Sequence, residues 1–291
     1  AYSLGNLVLR PGDEVLVSIM EHHSNLLVWQ QAAKRTGATL RYLDCTQDGK
    51  ITAEMVEAAI TDKTKIFAVT QISNVLGWKN DIKSFAEICH RKGCLIVADG
   101  AQSVPHIEVD VKALDVDFLA FSGHKLMGPM GIGVLYGKKK LLKAMPPFLT
   151  GGEMIDSVTR DGAKYAELPH KFEAGTVNAA GAVGLAAAID YINKIGFETM
   201  QERELTLTKR ALEGLKAIPK VHVLGSELAE EHTGILTFTI EDVHPHDVSA
   251  VLESDGVAVR AGHHCAQPLL EYLGVRSATR ASLMFYNTEE E

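Results

Sequence analysis

The sequence predicts an α/β fold with a mostly parallel sheet, followed by a smaller α+β region. Short apolar runs alternate with helical patterns through the first half of the chain. The candidate strands are Glu14–Ile19, Ala38–Leu43, Lys65–Ile72, Cys94–Ala98, Phe118–Phe121 and Gly133–Tyr136. The amphipathic stretches between several of them are Asn25–Arg35, Ala53–Ile60 and Ile82–Lys92. Continuous apolar strands separated by helices of this length are typical of a parallel sheet covered on both faces.

The second half of the chain has a different pattern. A looser, glycine-rich segment covers residues 146–175, and two long helical patterns follow over 179–194 and 197–217. The tail then mixes predicted elements, which are the strands Val221–Leu224, Ile235–Ile240, Val257–Arg260 and Arg280–Phe285 and the helix His246–Ser254. We interpret residues 1–194 as a large domain and residues 195–291 as a small C-terminal domain.

Composition argues against several classes of protein. The net charge is −8, which disfavours a nucleic-acid partner, and no run is long and apolar enough to span a membrane. The four cysteines, Cys45, Cys89, Cys94 and Cys265, include no C-x-x-C pair. They are therefore interpreted as reduced thiols of a cytoplasmic protein.

A lysine follows one of the predicted strands. The strand at 118–121 runs into Ser122-Gly123-His124-Lys125 and then turns through glycine and proline. An ammonium group at the carboxyl end of a strand, surrounded by small residues, is partly desolvated. Desolvation lowers its pKa and favours a Schiff base with a carbonyl cofactor. The alternative is an ordinary lysine in a turn.

Other strand ends also carry polar residues. Asp99 ends the strand before that of Lys125, and a fixed carboxylate is what the pyridine nitrogen of pyridoxal 5'-phosphate (PLP) requires. Alone, Asp99 could instead cap a helix. Polar clusters also follow the first and third strands, at residues 21–25 and 73–77. Because the carboxyl ends of parallel strands share one edge of the sheet, the four clusters predict a ligand site there.

A second reactive segment lies near the C-terminus. Cys265 follows two histidines on a glycine-containing loop, and nearby positive charge would favour its thiolate form. A zinc site is the rival interpretation, but adjacent His-His-Cys side chains do not easily reach one ion. A buried, inert cysteine is the other alternative. Arg280, at the start of a predicted strand, could bind a carboxylate through two hydrogen bonds or form a surface ion pair.

Together these motifs resemble a known family. They are Glu21-His22-His23-Ser24-Asn25, Ser73-Asn74-Val75-Leu76-Gly77, Ala98-Asp99-Gly100-Ala101-Gln102, Ser122-Gly123-His124-Lys125, Phe172-Glu173-Ala174-Gly175-Thr176 and Arg260-Ala261-Gly262-His263-His264-Cys265-Ala266. The set is similar to group II cysteine desulfurases of the Suf type, in the class V aminotransferase group of fold-type I PLP enzymes. The motifs occur in family order over nearly the whole chain, and the loop before Cys265 points to group II.

The resemblance implies a fold and a role for each residue. It implies a mostly parallel, seven-stranded type of sheet in a large PLP-binding domain and a small domain that carries the cysteine loop. The implied roles are Lys125 for covalent attachment of PLP and proton transfer, Asp99 for the pyridine nitrogen, His22 for stacking on the ring as part of the catalytic set, Asn74 and Gln102 for the ring oxygen, Ser122 and His124 for the phosphate, Thr176 for the phosphate site of a partner subunit, and Arg280 with Arg260 for the substrate carboxylate.

The resemblance also implies the reaction. Cys265 would take the sulfur of L-cysteine, leaving L-alanine and a persulfide for a sulfur-acceptor protein of the Suf system in iron–sulfur cluster assembly. A homodimer and no metal are expected. The alternatives are a selenocysteine lyase acting on L-selenocysteine, a simple class V transaminase, a zinc-binding structural protein and a non-catalytic remnant that binds a partner.

Members of the family run longer at both ends. The resemblance places a Gly-Thr-Thr type phosphate-binding turn before Ala1 and a last helix after Glu291. We therefore expect this sequence to be a fragment of a longer enzyme, with weakened binding of the cofactor phosphate.

Overall fold

A computed structural model describes residues 1–291. The first sheet has six strands, which are β1 (Glu14–Ser18), β2 (Thr39–Leu43), β3 (Thr64–Thr70), β4 (Leu95–Asp99), β5 (Phe118–Ser122) and β6 (Gly133–Gly137). Their order across the sheet is β2-β1-β3-β4-β5-β6. All neighbouring pairs are parallel except β5 and β6, which run antiparallel. The prediction of a mostly parallel α/β sheet is confirmed.

Helices cover both faces of this sheet. They are α1 (Tyr2–Val8), α2 (His23–Thr36), α3 (Ala53–Ala59), α4 (Ile82–Arg91), α5 (Val111–Leu114) and α6 (Lys139–Ala144). Alternate strand residues face opposite sides, so Phe67 packs in one buried cluster and Ile66 in the other. The larger cluster includes Phe85 of α4, and the smaller includes Trp29 of α2. Burial on both faces explains why the strands are apolar throughout.

Helix α2 shows how local sequence sets an element. Its N-cap is His22, whose side chain accepts a hydrogen bond from the Ser24 amide. Its C-cap is Gly37 in the left-handed conformation, a position that favours glycine. Lys34 and Arg35 lie in its last turn, where positive charge complements the helix dipole. The start of α2 is therefore fixed directly beside the end of β1.

The second half contains a hairpin, two long helices and a second sheet. Its elements are β7 (Ile155–Val158), β8 (Ala163–Tyr165), α7 (Ala179–Ile195), α8 (Phe197–Ala217), β9 (Val221–Val223), β10 (Ile235–Ile240), α9 (Pro245–Ser254), β11 (Arg260–Gly262), α10 (Gln267–Tyr272) and β12 (Ala278–Ser282). The second sheet is antiparallel, in the order β11-β12-β10-β9. The division into domains at residues 194 and 195, in the last turn of α7, stays a prediction.

Three details differ from the sequence predictions. The first sheet has six strands where the seven-stranded type was expected. The strand predicted at 257–260 is β11 at 260–262, and the one predicted at 280–285 is β12 at 278–282. The limits of these strands follow from the pairing of β11 with β12, in which Arg260 is opposite Arg280. Local sequence does not encode that pairing.

No helix has both the length and the apolar character needed to cross a membrane.

Candidate active site

A cavity of about 520 Å³ lies at the carboxyl ends of the first-sheet strands, beside the second sheet. The residue predicted to carry PLP and eight others predicted around it all line this cavity. They are His22, Asn74, Asp99, Gln102, Ser122, His124, Lys125, Arg260 and Arg280. The prediction that polar clusters at four strand ends meet at one site is confirmed by this cavity. The individual roles stay predictions.

Asp99 is the last residue of β4 and lines the cavity. In the register of the sheet it pairs with Thr70 on one side and Ala120 on the other. Its Oδ1 accepts a hydrogen bond of 2.9 Å from the Ala101 amide. Burial raises the pKa of the Asp99 carboxyl, while the Ala101 hydrogen bond and the charge of Lys125 oppose that effect. Asp99 is thus a buried acid fixed at a strand end.

Lys125 lies on a short 3-10 helix, Gly123–Leu126, which directly follows β5. Burial lowers the pKa of its ammonium group, Asp99 opposes the lowering, and Arg280 and Arg260 add to it. A lowered pKa increases the fraction of neutral amine, which is the form that adds to a carbonyl group. The sequence argument that this lysine is desolvated at a strand end therefore agrees with the structure.

His22 flanks the cavity at the start of α2. Its Nδ1 lies 2.7 Å from the Ser24 hydroxyl, which orients the ring. Burial, and then the charge of Lys125, lowers the pKa of His22 to about 4, so the ring is neutral at pH 7. A neutral, oriented imidazole is suited to stacking on a flat ligand.

Glu21 is a buried acid to which the sequence argument gave no role. Its carboxyl oxygens accept hydrogen bonds from the Ser18 hydroxyl, from the Thr70 amide at 2.8 Å and from the Asn25 side chain at 2.6 Å. These bonds connect the end of β1, the start of α2 and the end of β3. Burial raises the pKa of Glu21 to about 8. Its position between an apolar strand and His22 was the signal available in the sequence.

Two arginines give the cavity positive charge that no acid neutralises. Neither Arg260 nor Arg280 forms an ion pair in the structure. One donor of Arg280, Nη1, bonds the Asn74 carbonyl at 2.9 Å, while its buried Nε has no partner. A partly buried guanidinium with unused donors is suited to binding an anion such as a carboxylate or phosphate.

The loop of Cys265 closes one side of the site. Arg260 Nη2 donates a hydrogen bond to Cys265 Sγ at 3.5 Å. The Cys265 carbonyl accepts from the His23 amide at 2.7 Å, and Asn74 donates from Nδ2 to the His264 carbonyl at 2.8 Å. Both His264 and Cys265 have positive φ angles, 51° and 56°, which side-chain-bearing residues adopt rarely. Hydrogen bonds to the first-sheet side of the cavity thus hold a strained loop in place.

One predicted site residue lies outside this cavity, and the structure has no arrangement for the zinc site considered as an alternative. Thr176 is exposed on the segment before α7 and does not line the cavity of its own chain. No group of three or more histidine, cysteine, aspartate or glutamate side chains is arranged to hold a metal ion. The histidines before Cys265 also diverge, because His264 is buried and bonds the Ala278 carbonyl while His263 is exposed.

The family model described as aminotransferase class-V matches residues 1–291. The chain belongs to the class-V aminotransferase family. Members of this family are PLP-dependent enzymes. Within the family, the chain is 52% identical over 291 residues to a probable cysteine desulfurase of Halalkalibacterium halodurans, covering all of this chain and 71% of that protein.

Two solved structures of cysteine desulfurases superpose closely on this one. An apo cysteine desulfurase from Thermococcus onnurineus has a TM-score of 0.95 and 41% identity, over 99% of this chain and 72% of that one. A cysteine desulfurase of Escherichia coli in an S-sulfonic acid form has a TM-score of 0.93 and 39% identity, over 99% and 71% of the two chains. The predicted fold class and the class V aminotransferase family are therefore confirmed, and the group II, Suf-type assignment stays a prediction.

The residues of the cavity fit PLP. Asp99 would hold the pyridine nitrogen and Lys125 the aldehyde carbon, and His22 would cover the ring. Ser122 and His124 would supply donors for the phosphate, and the unused donors of Arg280 would be available to bind a second anion. The second hydrogen of Asn74 Nδ2 is free for the ring oxygen, since the first is donated to His264.

Proposed function

We propose that this class-V aminotransferase converts L-cysteine to L-alanine and takes the released sulfur as a persulfide on Cys265. The observation that carries the proposal is the position of the thiol. Cys265 is partly exposed on a loop bonded to His23 and Asn74, and its sulfur contacts Arg260, which lines the cavity of Lys125 and Asp99. A transaminase would have no chemical use for a thiol held there.

The cavity side chains would prepare the substrate. When bound, PLP withdraws electrons from the substrate carbons, and the Asp99 carboxylate keeps its pyridine nitrogen protonated. Arg280 binds the substrate carboxylate through the donors that Asn74 leaves unused. Lys125, with its lowered pKa, is suited to take the proton from the α-carbon and to return a proton later.

Cys265 would carry out the sulfur transfer. Its thiolate forms a bond with the substrate sulfur while the bond between that sulfur and the substrate β-carbon breaks. The electron pair of the broken bond stays on the β-carbon, which gains a proton and becomes the methyl group of alanine. The Arg260 guanidinium stabilises the thiolate before the transfer.

The test combines a cofactor titration with an assay of both products. The purified chain is titrated with PLP while the visible absorption of the lysine-bound cofactor is recorded. L-cysteine and a reductant are then added, and alanine and sulfide are measured. We expect Lys125→Ala to abolish the visible band and Cys265→Ser to keep the band but abolish turnover.

Other outcomes would identify the alternatives. A Cys265→Ser variant that keeps both the visible band and the wild-type rate of transamination would favour a transaminase. A much higher rate with L-selenocysteine than with L-cysteine would favour a selenocysteine lyase. No band at saturating PLP would show that residues 1–291 do not bind the cofactor by themselves and would support the partner-binding remnant.

A homodimer is part of the proposal. Exposed apolar side chains occur on and before α7, and they include Phe148 (63% exposed), Leu149 (58%), Val177 (52%) and Val183 (73%). Thr176 lies in the same region, which is consistent with a phosphate contact across a dimer interface. Light scattering tests the dimer, and Thr176→Val should weaken PLP binding only in protein that is dimeric.

We further propose transfer to a sulfur-acceptor protein of the Suf system, for iron–sulfur cluster assembly, in the cytoplasm. Cys265 is partly exposed, so a persulfide on it could be reached by an acceptor thiol. The other three cysteines are buried free thiols, as expected in a reducing compartment. To test the transfer, the persulfidated chain is mixed with an acceptor and both proteins are analysed by mass spectrometry. An acceptor that lacks its cysteine is the control.

A further inference from the structure

A row of three side chains crosses the second sheet and faces the candidate active site. Thr237 of β10 is directly opposite Arg280 of β12, which is directly opposite Arg260 of β11. Directly opposite residues of antiparallel strands lie on the same face of the sheet. Both arginines line the cavity, whereas Thr237 is completely buried behind them.

Thr237 and Arg280 bind consecutive carbonyl groups of one turn. This turn, residues 73–78, follows β3 and is called here the β3 turn. The Thr237 hydroxyl donates to the Val75 carbonyl at 2.5 Å, and Arg280 Nη1 donates to the Asn74 carbonyl at 2.9 Å. Each is the only hydrogen bond that its carbonyl accepts. The position of the Arg280 guanidinium therefore depends on where the Asn74–Val75 backbone lies.

The β3 turn has little freedom to move toward the second sheet. Gly77 has a φ angle of 68°, and a Cβ atom there would lie 2.9 Å from the Thr233 backbone nitrogen. The Thr233 hydroxyl donates to the Gly77 carbonyl at 2.8 Å. Close backbone approach fixes one end of the turn, and the Thr237 hydroxyl fixes its middle.

The same turn reaches the reactive loop. Asn74 Nδ2 donates a hydrogen bond to the carbonyl of His264, which is the residue before Cys265. A shift of the Asn74 backbone would therefore move both the carboxylate-binding arginine and the loop of the thiol. On the basis of the function proposed above, we propose that Thr237 is a positioning residue that sets Arg280 for recognition of the substrate carboxylate.

Two variants separate the hydroxyl from the shape of the side chain. Thr237→Val keeps the volume but leaves the buried Val75 carbonyl without a partner, whereas Thr237→Ser keeps the hydroxyl. Thr239→Val is the matched control, because Thr239 is on the same strand and face and makes no side-chain hydrogen bond in the structure. Thermal midpoints are recorded for all three, so that a general loss of stability is recognised.

The main readout uses alkylation of Cys265 and needs no turnover. Iodoacetate carries a carboxylate, as the substrate does, and iodoacetamide does not. The ratio of their rates at Cys265, followed by mass spectrometry with Cys265→Ser as the site control, reports how well the arginines attract a carboxylate. We expect Thr237→Val to lower this ratio about 2- to 10-fold and Thr237→Ser and Thr239→Val to leave it near the wild-type value.

The holoenzyme provides the second readout. Thr237→Val should raise KM for L-cysteine more than it lowers kcat, since a misplaced Arg280 weakens binding before it affects the chemistry. An unchanged alkylation ratio in Thr237→Val, or an equal fall in Thr237→Ser, would overturn the positioning role. A wild-type chain that binds PLP but does not desulfurate L-cysteine would refute the proposed function instead, and the alkylation ratio would still be measurable.

Discussion

The guanidinium of Arg260 donates a hydrogen bond to the sulfur of Cys265, five positions further along the chain, at 3.5 Å. No carboxylate forms an ion pair with Arg260, so its positive charge acts on the thiol and on the cavity beside it. A cationic neighbour favours the thiolate, which is the nucleophilic form of cysteine. The reactivity of Cys265 is therefore expected to depend on Arg260.

Replacement of Arg260 tests that dependence. At pH 7, Arg260→Met should slow alkylation of Cys265 by the neutral reagent iodoacetamide about 3- to 10-fold, because the thiolate loses a charge-assisted hydrogen bond. The alkylation rate of Arg260→Lys should lie between the rates of Arg260→Met and the wild type. The control is Arg276→Met, which removes an exposed arginine from the same region. Equal rates for Arg260→Met and wild type would refute the interaction.

Asp99 should matter for turnover more than for binding. Asp99→Asn keeps the shape of the side chain but removes the fixed charge that holds the pyridine nitrogen protonated. We expect the visible band of the bound cofactor to remain and alanine formation to fall at least about 100-fold. Turnover within twofold of wild type would show that the Asp99 carboxylate does not serve the cofactor nitrogen.

His22 should contribute to cofactor affinity through its ring. Since the pKa of His22 is lowered to about 4, the ring is neutral at pH 7, and Phe replaces it without a change of charge. We expect His22→Ala to weaken PLP binding about 2- to 10-fold and His22→Phe to keep most of the affinity. Fluorescence titration with PLP measures both. Similar losses in the two variants would argue against stacking.

Glu21 should make the folded chain less stable at high pH. Burial raises its pKa from 4.5 to about 8, so between these values the folded chain keeps a proton that the unfolded chain has released. Stability therefore falls as pH rises through this window, by up to about 5 kcal/mol.

Thermal midpoints at pH 6 and pH 9 test this dependence. Glu21→Gln should lose less stability between the two pH values than wild type, because its amide does not ionise. Any change in its hydrogen bond with Asn25 is the same at both pH values. Glu87→Gln, on the exposed side of α4, is the control and should follow wild type. Parallel losses in Glu21→Gln and wild type would contradict a buried, protonated Glu21.

Much of the site was predictable from local pattern. The alternation of apolar strands and helices gave the α/β class, and the residues after each strand gave Asp99 and Lys125, because parallel strands bring their carboxyl ends to one edge. The second-half strands were predicted less well. β11 and β12 are displaced by two or three residues, because their limits follow from pairing with each other.

By itself, the sequence determined the class of fold, the edge of the sheet where the cavity lies, and the types of polar residue that line it. These follow from periodicity and from what comes directly after each strand. Only the tertiary structure decided that Asn74 bonds the loop of Cys265 across 190 residues, that Thr237 holds the Val75 carbonyl across 162, and that Glu21 is buried. Such contacts depend on how two sheets pack together, and packing is a property of the assembled chain that no local pattern contains.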